Sequence, residues 1–417
     1  MRSLWEISSM SRFGTVGKVF SLGIVLALLA ASLPMSVADE SLSEPYHYFT
    51  YDEMTDLLFS LQANHSDIMK VESIGQTYQG RQIWSVKFSD EVEVEDDSEP
   101  GVLFMGAHHG NEKPSFEVVI YFINYVTTHY GLEDFDDDGD GLVNEDIIDG
   151  VDNDGDGEVD EDPSESRVTQ IVDSTEIYCV PMVNPDGVEA DRRTNRAPNY
   201  GSDGQSDTVT SVGVDLNRNY GFLWNLPHLN PVGFMFPFIS NDQYGNFRGE
   251  APFCENETQA IKGFVERVGQ ISISLSYHDY GEFMIFPWGH TSMHNPDEEL
   301  FRSIGYNMSE INGYELRIFG QFGEREYLIP RLTGTVGSSE NWLYGVHGII
   351  AYTVELCSRR TEYVASRVLE TCLDHTGVNL YVCERAQTVD AERSGLDEPP
   401  SDGWMVISNI LDGLYGK

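Results

Sequence analysis

Apolar residues recur along this chain with two different spacings. Within residues 51–64, Met54, Leu57, Leu58 and Leu61 fall three and four apart, which places them on one side of a helix. Residues 71–89 read instead as two strands joined by the polar turn Tyr78-Gln-Gly-Arg81. Four short runs are uncharged and largely apolar: 102–105, 177–183, 271–276, where serines alternate with the apolar residues, and 349–354. Helical spacing fills the stretches between them, notably 115–130 and 258–268. Strands apolar along most of their length, alternating with helices, predict an α/β fold: a mixed, largely parallel twisted sheet with helices on both faces.

Each apolar strand runs into residues of reactive kinds. The first leads to His108-His109-Gly-Asn-Glu112, the second to Asn184-Pro-Asp-Gly187, the third to His278-Asp279 and the fourth to Glu355. Ligands of open α/β sheets gather beyond the carboxyl ends of the strands, so these four ends predict one site. An imidazole and a carboxylate three residues apart, His109 and Glu112, offer two metal ligands. His278, from a distant strand, completes a His, Glu, His set that leaves a fourth zinc position for water. The HExxH helix motif is absent.

Charge narrows the picture further. The 417 residues carry 69 acidic side chains against 25 basic ones, a net charge of −44. Such a surface repels phosphate backbones, which argues against nucleic-acid partners. It fits cation binding, a salty habitat, or both. The first 38 residues read as a signal peptide: Arg2, Arg12 and Lys18 precede an apolar run from Val19, and Ser36-Val37-Ala38 supplies the small residues of a cleavage site. The mature protein is therefore expected to be secreted or held at the cell surface, with no membrane span once the signal is removed. Five cysteines are too few for a disulfide framework, although Cys372 and Cys383, eleven apart, could close a local loop.

Residues 134–162 hold fifteen acids and no lysine or arginine. The segment Asp136-Asp-Asp-Gly-Asp-Gly-Leu-Val-Asn-Glu-Asp146 recurs sixteen residues later as Asp152-Asn-Asp-Gly-Asp-Gly-Glu-Val-Asp-Glu-Asp162. Alternating carboxylates with glycines at the bends suit a hard cation that takes six to eight oxygens, and calcium is the expected ion. Asp134, Asp136, Asp138 and Glu145 fall at positions 1, 3, 5 and 12 of an EF-hand loop, with Gly139 at position 6. Asp140 belongs to the same copy; Asp152, Asp154, Asp156 and Asp160 are the candidate ligands of the second, whose first position is Gly150.

The chain resembles the zinc carboxypeptidase family. The resemblance rests on eight motifs in the family's order: Gly75-Gln-Thr-Tyr-Gln-Gly-Arg81, His109-Gly-Asn-Glu112, Asn184-Pro-Asp-Gly187, Arg193-Thr-Asn-Arg196, Gly213-Val-Asp-Leu-Asn-Arg-Asn-Tyr220, Ser276-Tyr-His278, Asn341-Trp-Leu-Tyr344 and Thr353-Val-Glu-Leu356. It implies zinc on His109, Glu112 and His278, Glu355 as general base, and Arg193 as the arginine that stabilises the oxyanion. It also implies that Asn217 and Arg218 grip the C-terminal carboxylate of a peptide or protein substrate. Glu340, two before Trp342, falls at the specificity-pocket position, where a carboxylate favours a basic terminal residue. The domain organisation expected is a signal peptide at 1–38, a catalytic domain at 39–386 with the repeat inserted, and an acidic linker and tail at 387–417.

Some features depart from the family. Thr333 stands where the family has a mobile substrate-covering tyrosine, with Tyr327 able to replace it only if that loop is shifted. Two other readings compete with a carboxypeptidase: a zinc amidohydrolase acting on small acyl-amino acids or cell-wall peptides, and a catalytically dead calcium-dependent surface module. Retention of all three ligand types and of Glu355 disfavours the last. Oligomeric state is left open by the sequence.

Overall fold

The computed structural model describes residues 46–95, 98–131, 167–196, 213–224, 247–291, 294–318, 336–358 and 364–393. The expectations for the signal segment, the Asp-rich repeat, Tyr327, Thr333 and the tail beyond residue 393 lie outside the described residues. The chain divides into two units, Met1–His47 with Tyr363–Glu370, and Tyr48–Glu362 with Thr371–Lys417. Of the first, only residues 46–47 and 364–370 are described; the sheet and the site belong to the second.

In chain order the elements are α1 (Tyr51–Asn64), β1 (Met69–Gln76), β2 (Gln82–Phe88), β3 (Gly101–Met105), α2 (Pro114–His129), α3 (Arg167–Val172), β4 (Glu176–Val180), α4 (Pro185–Glu189), a 3-10 turn (Leu216–Arg218), α5 (Asn256–Val268), β5 (Ile271–Asp279), β6 (Phe283–Phe286), α6 (Glu298–Asn312), β7 (Glu315–Ile318), α7 (Ser339–His347), β8 (Ile350–Leu356) and α8 (Ala365–Arg393). Eight strands form one sheet in the order β1-β2-β4-β3-β5-β8-β6-β7. Its centre, β4-β3-β5-β8, is parallel, and β1-β2, β2-β4 and β6-β8 are antiparallel. The result is the mixed α/β fold that the sequence pattern predicts.

Local chemistry explains the element ends. At α1 the Thr50 hydroxyl accepts from the Glu53 amide while the Glu53 carboxylate accepts from the Thr50 amide, a reciprocal cap that satisfies two otherwise unpaired donors. Strand β4 stops at Val180 rather than continuing to 183, because Pro181 has no amide to extend the ladder. Strands β5 and β8 run further than their apolar stretches, to Asp279 and Leu356, so His278 and Glu355 are strand residues paired in register. A polar side chain does not end a ladder when its neighbours hydrogen-bond it.

Two expectations need correction. All five cysteines are free, and Cys372 and Cys383 both lie on α8. Eleven helical residues separate them by about 16 Å at 1.5 Å per residue, well beyond disulfide reach. The linker expected from Gln387 is, as far as Arg393, the end of α8: Val389 is buried and Gln387 donates to the Ser174 hydroxyl. Among the described residues no helix is long and apolar enough to cross a membrane.

Candidate active site

The carboxyl ends of β3 and β5 bring His109, Glu112 and His278 together, all buried, with their ligand atoms within 4.8 Å of one another. The turn after β3 places the first two. Glu112 donates its amide to the His109 carbonyl, and the Ser115 hydroxyl receives the Ala107 amide, which ties the turn to the start of α2. Gly110 is required here by close approach: a Cβ on it would lie 2.0 Å from the Gly187 carbonyl carbon. The Glu112 carboxylate lies 2.8 Å from His109 Nδ1 and 3.0 Å from His278 Nδ1. Burial works to raise its pKa, but the two imidazoles outweigh that and hold it well below the usual carboxylate range.

The other face of His109 is fixed by Asp215, whose carboxylate is 2.9 Å from Nε2. That contact directs Nδ1 toward Glu112, so the ring presents one nitrogen to the cluster and anchors the other. Asp215 also pairs with Arg193 at 3.0 Å, and Arg193 reaches Glu112 at 3.1 Å. Burial opposes ionisation of Asp215; Arg193 and then His109 overcome it and hold the carboxyl far down.

A cavity of about 260 Å³ opens beside the three donors, and it is lined by every site residue expected outside the repeat: Arg193, Asn217, Arg218, Glu340 and Glu355 besides the donors themselves. Glu355 of β8 stands opposite His278 of β5 in the parallel register. Burial, and then the negative charge of Glu112, push its carboxyl up to about 8. Asn217 and Arg218 project from the 3-10 turn. Asn217 Oδ1 accepts from the Ser339 amide at 2.9 Å, and Gly337, at φ 78°, lets the chain pass where a Cβ would lie 2.1 Å from the Arg218 carbonyl oxygen. Glu340, in the first turn of α7, accepts from the Ser338 hydroxyl at 2.6 Å, Asn341 Nδ2 at 2.9 Å and the Thr353 hydroxyl at 3.2 Å.

Asn184 and Asp186 hold other parts. Asn184 caps α4 by accepting from the Gly187 amide and donates to the His108 carbonyl, so it props the ligand turn from below. Asp186 receives Thr77, the Gln79 amide and Arg81, which pins the hairpin turn between β1 and β2. His108 stays outside the donor cluster, as its sequence position suggests.

The zinc carboxypeptidase family profile matches residues 54–371. The chain belongs to the zinc carboxypeptidase family. A zinc carboxypeptidase of Saccharothrix mutabilis subsp. capreolus is 27% identical over 315 residues, covering 74% of this chain and 62% of that protein. Carboxypeptidase A1 of Mus musculus is 24% identical over 313 residues, with the same two coverages. The chain thus spans about three fifths of the length of these curated relatives. Among solved structures, carboxypeptidase A from Helicoverpa armigera shares the fold, with a TM-score of 0.61 at 18% identity over 90% of this chain and 82% of that one.

In this member of the zinc carboxypeptidase family the donor set suits zinc. Two imidazoles and a carboxylate, buried and converging, are the chemistry zinc takes in a site that keeps a position open. Asp215 has no role in the sequence reading, although it lies two residues before Asn217 in a motif already singled out. Its part is visible only when the distance to His109 Nε2 is known.

Proposed function

We propose that the chain is an exported metallocarboxypeptidase that hydrolyses the last peptide bond of peptides and proteins. The observation that supports this best is the composition of the cavity: cationic and amide groups suited to a free carboxylate line it together with the metal donors and the carboxylate of Glu355. Arg218 offers a planar fork of N–H groups that matches a carboxylate, and Asn217 adds an amide donor beside it. Zinc held by His109, Glu112 and His278 supplies polarisation of the carbonyl and acidification of water. Glu355, with its affinity for protons raised by burial, takes a proton from the attacking water and delivers it to the amine as the C–N bond breaks. Arg193 faces the negative charge that develops on the carbonyl oxygen.

Glu340 gives the reading a substrate preference. Burial pushes its pKa up, against the hydrogen bonds from Ser338, its own backbone and Thr353 and the positive charge of Arg218, so ionisation there is costly. A terminal lysine or arginine side chain would relieve that cost. An unpaired buried partner costs about 3–5 kcal/mol, or roughly 10²–10⁴-fold, so a peptide ending in arginine is expected to be cleaved at least about 10²-fold more efficiently than its twin ending in phenylalanine. Measured kcat/KM values that are equal, or that favour phenylalanine, would remove Glu340 from the specificity assignment. The repeat at 134–162 is proposed to bind calcium on Asp134, Asp136, Asp138, Asp140, Glu145, Asp152, Asp154, Asp156 and Asp160, and residues 1–38 to direct export.

A further inference from the structure

A buried chain of polar groups runs from His278 away from the cavity and ends on Tyr220. Ser276 Oγ lies 3.2 Å from His278 Nε2 and 3.1 Å from His108 Nδ1, and His108 Nε2 lies 2.7 Å from the Tyr220 hydroxyl. All four residues are buried, and the His108 and His278 rings stack with centroids 5.5 Å apart and planes 18° apart.

These contacts constrain where hydrogens reside. His278 Nδ1 faces Glu112 and His109, so a metal at the cluster takes the lone pair of Nδ1 and leaves the ring hydrogen on Nε2. That hydrogen needs an acceptor. Asn217 Nδ2, 3.2 Å away, is a donor, because Asn217 Oδ1 is engaged by the Ser339 amide. Ser276 Oγ is the acceptor within reach, and its own hydrogen must then go elsewhere. His108 Nδ1 can receive it, provided the His108 proton sits on Nε2, where Tyr220 accepts it.

We propose that His108 is a positioning residue for zinc: through Ser276 it holds His278 in the Nε2–H form, leaving Nδ1 free to bind the metal. The inference rests on His109, Glu112 and His278 being the zinc site. It gives a function to the histidine beside His109 that neither binds the metal nor lines the cavity. It also accounts for Asn217: once Nε2 carries hydrogen, the amide and the ring present two donors to one another, which favours turning Asn217 toward a substrate carboxylate.

The test is zinc affinity by chelator competition, with circular dichroism to establish folding. Loss of a group that orients a ligand costs about 10–100-fold in metal affinity. His108→Leu and Ser276→Ala are each expected to weaken zinc by about tenfold or more, and the double variant by no more than the worse single, because one relay is broken in each. His108→Asn can keep an acceptor facing Ser276 and is expected to bind close to wild type. Wild-type affinity in both folded single variants, or full additivity in the double, overturns the relay. In the zinc-loaded wild-type protein, nitrogen-15 NMR should find the proton of His108 on Nε2; a proton on Nδ1 overturns the proposal without any variant. Failure of the wild type to bind zinc, or binding that survives His109→Ala with His278→Ala, overturns the underlying site as well.

Discussion

Glu355 lies opposite His278 on adjacent parallel strands and faces a cavity that also holds Arg193, and these neighbours decide what it can do. Burial and the negative charge of Glu112 push that carboxyl up to about 8 in the metal-free site, and zinc on the neighbouring donors would draw it back toward the ionised form that accepts a proton. Glu355→Gln keeps the shape and the zinc donors but removes the basic oxygen. Turnover is expected to fall by at least about 10²-fold with zinc content unchanged, measured as kcat beside metal analysis of the same sample. Retained turnover would place the base elsewhere. The residues of this site were legible in the sequence to different degrees for a physical reason. His109, Glu112, His278 and Glu355 each follow or end an apolar strand, so the topology alone brings them together. Asp215 and Ser276 act on imidazole nitrogens through space, and neither periodicity nor spacing records which nitrogen a side chain touches.

Among the elements, the strands of the parallel centre are readable because they are buried on both faces and therefore carry few charged residues, β5 alternating its apolar residues with the buried Ser272, Ser274 and Ser276. Strands β6 and β7 have four residues each, too few for a period to register. Helix α8 is harder to read for another reason. Its buried stripe passes through Cys372, His375, Asn379, Val382, Cys383, Ala386 and Val389, spaced as a helix requires but with polar residues in the apolar positions. The connection between α2 and α3 is informative at this scale. It leaves from Gly131, whose amide donates to the Thr169 hydroxyl, beside Tyr130, whose hydroxyl donates to Asp173, so the two flanking helices are fastened to each other. Those contacts lie past the carboxyl end of α2, the helix whose other end follows the ligand turn. If the carboxylates of the insert hold calcium, adding calcium to a calcium-free sample should slow proteolysis between Asp134 and Asp162 without changing peptide turnover. Cleavage at the same rate with and without the ion would return the segment to an acidic spacer.

For the whole molecule, fifteen of the 69 acids belong to the repeat, leaving 54 against 25 basic residues. The negative surface therefore does not depend on the repeat, whereas the cavity concentrates Arg193, Arg218 and the metal donors at one place. A peptide terminus entering it exchanges a repelling exterior for cationic partners. The family and the fold carry the zinc site; the claim that reaches beyond them is that the site acts on a free C-terminal carboxylate. Its most direct measurement is mass spectrometry of two peptides of one sequence, ending in arginine, incubated with the zinc-loaded protein, one with a free C-terminus and the other amidated. The free peptide should lose its last residue while the amidated one persists, because Arg218 and Asn217 then have no carboxylate to hold. Equal cleavage of both, or cleavage within the chain, would contradict the account.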